Sequence, residues 1–118
     1  VSDGYNALLR LSAAVRHRED TVDAVGDVAT TETVVEGVPC HAYQRYLWEE
    51  TDGRMLGVET LIVHLLADVA VTTGDRIDIT WPDGTGVRHA EVIGPPARRV
   101  RARTGKVHHI ECRTREIA

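Results

Sequence analysis

Apolar and polar residues alternate with a period of two along most of this chain, and glycine, proline and aspartate cut the alternation into short lengths. Successive strand residues face opposite ways, so this period predicts half-buried β-strands. Residues 12–18 suit a strand, followed by a polar loop over residues 19–30 that contains Gly26 and Asp27. Residues 31–36 and 38–47 read as two strands interrupted at Gly37 and Pro39. Pro39 brings no backbone donor, which predicts an edge or a bulge there. Residues 48–57 form a polar loop with two glycines, and residues 58–66 are the most continuous apolar run. Helix is open to that run by propensity, but its β-branched content and the Thr72-Thr73-Gly74 beyond it favour a strand. Residues 76–81 and 87–93 flank Pro82-Asp83-Gly84-Thr85-Gly86, a five-residue hairpin connection. Residues 98–103 alternate Arg with Val100 and Ala102, and Gly105-Lys106 turns the chain into a last strand over residues 107–115. Residues 1–11 are either a short helix, capped by Ser2 or Asp3 with Tyr5, Leu8 and Leu9 on one stripe, or an arm ordered by a partner. The expected fold is all-β, a small barrel or sandwich of about six to eight short strands with long loops.

Composition narrows the picture. A chain of 118 residues makes one domain with a single core. Phe is absent and aromatics are 4%, so the core must be built from Val, Leu, Ile and Ala. Cys40 and Cys112 sit at strand positions whose same-face neighbours are apolar, Val38 and Ala42 for one and Ile110 for the other. Two such cysteines predict buried free thiols, which suits a reducing compartment. No apolar run approaches the roughly 20 residues that span a bilayer, and no basic-then-apolar leader opens the sequence, so neither membrane insertion nor secretion is expected. Charge is uneven: residues 95–118 carry seven Lys and Arg against two acids, whereas residues 1–94 carry seven against sixteen. A molecule with two signs can pair head to tail with its own copies, which is how rings form.

Candidate chemistry is thin. Serine occurs only at Ser2 and Ser12, outside any nucleophile elbow. Cys40 and His41 are adjacent strand residues facing apart, which is no dyad. Glu49, Glu50 and Asp52 read as solvated loop acids rather than an acid–base pair. No phosphate-cradling Gly-Lys-Ser/Thr element is present, and Gly84-Thr85-Gly86 reads as a turn. The six histidines invite a metal reading through Cys40-His41 and His108-His109 with Cys112, but the spacing matches no familiar zinc module, and only one of His108 and His109 can share a face with Cys112. No catalytic residue, metal site or cofactor is therefore expected. The strongest electrostatic feature is the basic edge Arg98, Arg99, Arg101 and Arg103, which suits DNA phosphates or an acidic neighbouring surface. Stacking aromatics for single strands are lacking.

Several segments together resemble the head-completion, or stopper, proteins of long-tailed bacteriophages, small connectors of the head–tail joint. They are Ala13-Ala14-Val15-Arg16-His17-Arg18, Val38-Pro39-Cys40, Leu65-Leu66-Ala67-Asp68-Val69-Ala70-Val71, Gly74-Asp75-Arg76-Ile77 and Ala90-Glu91-Val92-Ile93-Gly94. The resemblance spans residues 12–115, and it departs from the pattern at Leu66, where Pro is expected, and in the Arg-rich 98–103 segment. It implies a non-enzymatic β-barrel subunit of the virion neck, assembled in the host cytoplasm into a homo-oligomeric ring, six copies favoured over twelve. Its implied partners are portal and adaptor proteins, a tail-terminator or tail tube, and packaged double-stranded DNA. It further implies that the loop between the second and third barrel strands lines the channel as a gate. Here that loop carries Glu49, Glu50, Thr51, Asp52, Gly53 and Arg54, whose acids would repel rather than grip DNA. The alternatives are a small barrel binding nucleic acid through the Arg98–Arg103 segment, or a neighbouring neck or tail-terminator subunit.

Overall fold

β-Branched and alternating segments pair into seven antiparallel strands. These are β1 (Leu11–Val22), β2 (Val28–Thr51), β3 (Arg54–Leu66), β4 (Arg76–Thr80), β5 (Val87–Val92), β6 (Ala97–Val100) and β7 (Val107–Glu116). The computed structural model describes residues 10–81 and 86–117, and only the backbone of residues 46–51 and 55–59. The helix or arm expected at the N-terminus falls almost wholly outside the described residues, as does most of the 82–86 connection. The strands pair in the order β3-β2-β1-β4-β5-β7-β6, and β3 pairs again with β7. The second contact closes the circuit, and the all-β reading stands.

The interior is made by the alternating faces. Ala42 lies opposite Val63, which lies opposite Cys112; Cys40, Leu65 and Ile110 form the row beside them. Across the ring, Ala13 faces Ile79 and Ile77 faces Ala90, a small side chain meeting a large one each time. That alternation lets a narrow barrel fill without aromatic rings. Cys40 and Cys112 are buried, unbridged thiols, and burial pushes both pKa values up to about 12. Thr114 is a fully buried polar residue, and its hydroxyl donates to the Leu61 carbonyl at 2.8 Å. Val69 packs against the core and Val71 is buried within it, so the β3–β4 connection covers part of the interior.

Three expectations need correction. Residues 19–30 are not a loop: β1 and β2 pair from Val22↔Val28 inward, leaving a turn at residues 23–27 in which the Asp23 carboxylate accepts from the Val25 and Asp27 amides. Nor are residues 31–47 two strands. β2 runs on through a bulge, where pairing jumps from Ala13↔Val38 to Val15↔Val35. Val38 and Val35 would face opposite ways in a regular strand, and the extra residue restores their phase with Ala13 and Val15. Gly37, at φ 68°, takes the left-handed conformation this requires. Last, β6 ends at Val100, so the alternation of residues 98–103 is only half strand.

The connection into β4 is fixed by a buried carboxylate. Asp75, 4% exposed, accepts from the Thr72 amide (2.9 Å), the Thr72 hydroxyl (3.2 Å) and His17 Nδ1 (2.6 Å). Its backbone bonds Val92 of β5, while Gly74 donates to the Val92 carbonyl. The contact with Asp75 raises the His17 pKa, so its contribution is complete below the ordinary histidine range and fades as pH rises through the raised value. Asp75→Ala should cost about 3 kcal/mol by leaving several donors without their acceptor. His17→Gln should flatten the loss of stability that urea denaturation reads above neutral pH.

Candidate functional site

The segment singled out as a gate is a β-ribbon. β2 and β3 stay paired from Cys40↔Leu65 to Thr51↔Arg54, whereas β1 leaves β2 at Cys40 and β7 leaves β3 at Leu61. Among the described residues, 45–51 and 54–60 therefore pair only with each other, and residues 48–57 are hairpin rather than irregular loop. Asp52 and Gly53 make the turn with φ of 52° and 74°. Two successive positive values define the two-residue hairpin turn whose twist matches paired strands, and Asp-Gly is a favoured sequence for it. The structure thus places Glu49, Glu50 and Thr51 on one strand end, Asp52 and Gly53 at the tip and Arg54 on the return strand. A second ribbon, residues 17–22 with 28–33, stands at the opposite end of β2 and exposes Val22, Val25 and Val28 around its turn.

The basic edge is divided rather than continuous. Arg98 lies opposite Ile110, on the core-facing side of β7, while Arg99 lies opposite His109 on the outer side. Arg99 Nη2 donates to Glu111 Oε2 at 3.1 Å. Arg101 and Arg103 fall in the β6–β7 turn, closed by Arg101 to Lys106 and Gly105 to Arg101 backbone bonds. Arg98 and Arg99 thus leave the strand on opposite sides, and Arg101 and Arg103 follow in the turn beyond its end.

What the structure does assemble is a histidine–carboxylate group where the barrel closes. His41, His64 and Glu111 lie directly opposite one another across β2, β3 and β7. The His64 and His109 rings stack at 4.9 Å. Glu111 Oε1 is 2.9 Å from His109 Nε2 and 3.7 Å from His64 Nε2. Burial lowers the His64 pKa against the opposing pull of Glu111, and the His109 hydrogen bond, helped by Arg99, holds Glu111 below the ordinary carboxylate range. Sequence reasoning missed this group. It paired His108 or His109 with Cys112, but Cys112 faces the core. It also set His108 and His109 apart, whereas pairing jumps from Arg99↔His109 to Val100↔Val107. His108 is the extra residue of that bulge, and its Nδ1 comes within 2.8 Å of His109 Nδ1.

Across the ring from it, the outer face of β1, β4 and β5 carries an ion-pair network around Asp78. This carboxylate, 7% exposed, accepts from Arg16 Nε (2.7 Å), Arg76 Nε (2.8 Å) and His89 Nδ1 (2.5 Å). Arg16 continues to Glu32 on β2 at 3.0 Å. The network ties four strands across their outer surface and presents no open reactive group.

No protein-family model matches the chain, and no curated protein matches it by sequence. Among solved structures, the fold is similar to that of the phage-like element PBSX protein xkdH from Bacillus subtilis. The TM-score is 0.51 at 16% identity, covering 90% of this chain and 93% of that one. The likeness is one of fold, and it extends over nearly the whole of both chains.

Burial opposes ionisation of Asp78, yet hydrogen bonds from His89, Arg16 and Arg76 outweigh it and bring the pKa down from 3.8 to about 2. A lowered carboxyl pKa stabilises the fold above the unfolded-state value and loses that contribution as pH falls toward 2. Asp78→Asn should therefore cost about 2 kcal/mol at neutral pH. Urea denaturation should show the gap to the parent protein narrowing between about pH 4 and pH 2; a gap independent of pH would refute the assignment.

Proposed function

We propose that this chain is a structural protein of a phage or phage-like particle, and within that class a ring-forming head-completion subunit of the neck. The observation that carries the reading is the fold shared, nearly end to end, with a protein of a phage-like element. The segments that resemble stopper proteins point the same way from the sequence. The long β2–β3 ribbon supports the finer assignment. A barrel with a protruding hairpin can seat its body in a ring wall and direct its tip toward the axis. The tip sequence Glu49-Glu50-Thr51-Asp52-Gly53-Arg54 has three acids and one base, a balance that lets DNA pass without gripping it. The surplus of negative charge in residues 1–94 and of positive charge in residues 95–118 supplies complementary signs for contacts between copies. In this reading the protein has no catalytic role, works without a cofactor, and meets portal–adaptor proteins on one side and tail proteins on the other.

The nucleic-acid-module alternative rests on the Arg98–Arg103 segment, where Arg98 and Arg99 leave β6 on opposite sides and Arg99 pairs with Glu111. Shortening the ribbon by two residue pairs, deleting Glu50-Thr51 and Arg54-Met55 but keeping the Asp52-Gly53 turn, tests the gate within intact particles. The expected result is particles that package DNA and then lose it, with the shortened subunit still present in necks imaged by electron microscopy. Normal DNA retention would overturn the gate. Absence of the parent subunit from purified virions would overturn the structural reading altogether.

A further inference from the structure

We propose that His64, His109 and Glu111, on the outer face where β3 meets β7, form a binding site for a divalent transition-metal ion of the zinc class. Their donor atoms lie within 4.8 Å of one another. Two imidazoles and one carboxylate are a donor set that zinc accepts, with bonds of about 2.0–2.2 Å and hence about 3.3 Å between ligand atoms in a tetrahedron. The observed separations of 2.9 Å and 3.7 Å from Glu111 Oε1 to the two Nε2 atoms bracket that value. Bonding geometry requires the stacked rings to tilt so that both Nε2 lone pairs converge on one point beside Glu111 Oε1.

The surroundings also suit a ligand set. Arg99 holds Glu111 Oε2, which leaves Oε1 turned toward both rings. His108 engages Nδ1 of His109, fixing that ring with Nε2 inward; outer contacts of this kind orient metal-bound histidines. All three side chains are largely shielded, with His64 at 16%, His109 at 14% and Glu111 at 25% exposure. They sit on rigid paired strands, and His64 and Glu111 are direct cross-strand partners. Three protein ligands leave a fourth position for water. The ion would bridge β3 and β7, the pairing that closes the barrel, so its effect would be to staple the ring. This inference stands on the side-chain geometry and is independent of the neck assignment.

The test uses the untagged full chain, stripped with a chelator and titrated with zinc against a chromophoric competitor. One zinc per chain should bind, and the melting temperature should rise with zinc concentration. Cobalt in place of zinc should give the visible absorption of a four- or five-coordinate ion. His64→Ala and His109→Ala should each weaken binding at least tenfold, and His108→Ala by about tenfold through loss of ring orientation. As a measurement that needs no variant, zinc should shift the imidazole nitrogen resonances of His64 and His109 in the parent protein and leave those of His17 and His89 in place. Binding well below one ion per chain, or unchanged His64 and His109 resonances at saturation, would overturn the proposal.

Discussion

Closure of the strand ring through β3 and β7 is the constraint on which the rest of this molecule depends. β3 holds β2 on one edge and β7 on the other, while the far edge of β7 is shared between β6 and β5. Without the β3–β7 pairing the sheet would be open, with two edges and an interior exposed along one side. Closure demands a small interior, and the rows Ala42–Val63–Cys112 and Cys40–Leu65–Ile110 meet that demand.

Closure also decides where polar chemistry can go. With the inner positions filled by aliphatic and thiol side chains, charged residues are driven to the outer face or to the barrel's ends. Asp75 holds the approach to β4, and Asp78 ties the outer face of β1, β4 and β5; both carboxylates are buried and saturated with donors. These are scaffolding interactions. The His64–His109–Glu111 group lies on the opposite flank of the ring, at the seam itself, where side chains from strands distant in sequence become neighbours.

β2 is the element that relates the scaffold to the proposed function. Its 24 residues are longer than the barrel needs, so its ends run on as two ribbons in opposite directions. One is turned by Asp52-Gly53 and carries the acidic tip, and the other exposes valines about residues 22–28. The bulge at Gly37 keeps the first half of β2 in phase with β1 before the second half pairs with β3. The proposed role calls for a block with projections that reach its neighbours, and a single long bulged strand supplies the projections.

The sequence by itself determined the all-β class, the aliphatic core and the two buried thiols, because a period of two and β-branched content are local properties that pairing can only confirm. It broke β2 into two strands at Gly37 and Pro39, where the structure has one strand with a bulge at Gly37. It understated strand length at residues 19–30, where exposed polar residues leave no alternation to read, and at residues 48–57, where the Asp52-Gly53 turn and neighbouring charges read as a loop. It overstated the 98–103 strand, because alternating Arg is also compatible with a turn. Tertiary structure alone decided which outward side chains meet. Cross-strand register brings His64 to Glu111 over 47 positions of sequence, and the His108 bulge turns two adjacent rings toward each other. Such contacts depend on ring closure, a property of all the strands together that no single segment encodes.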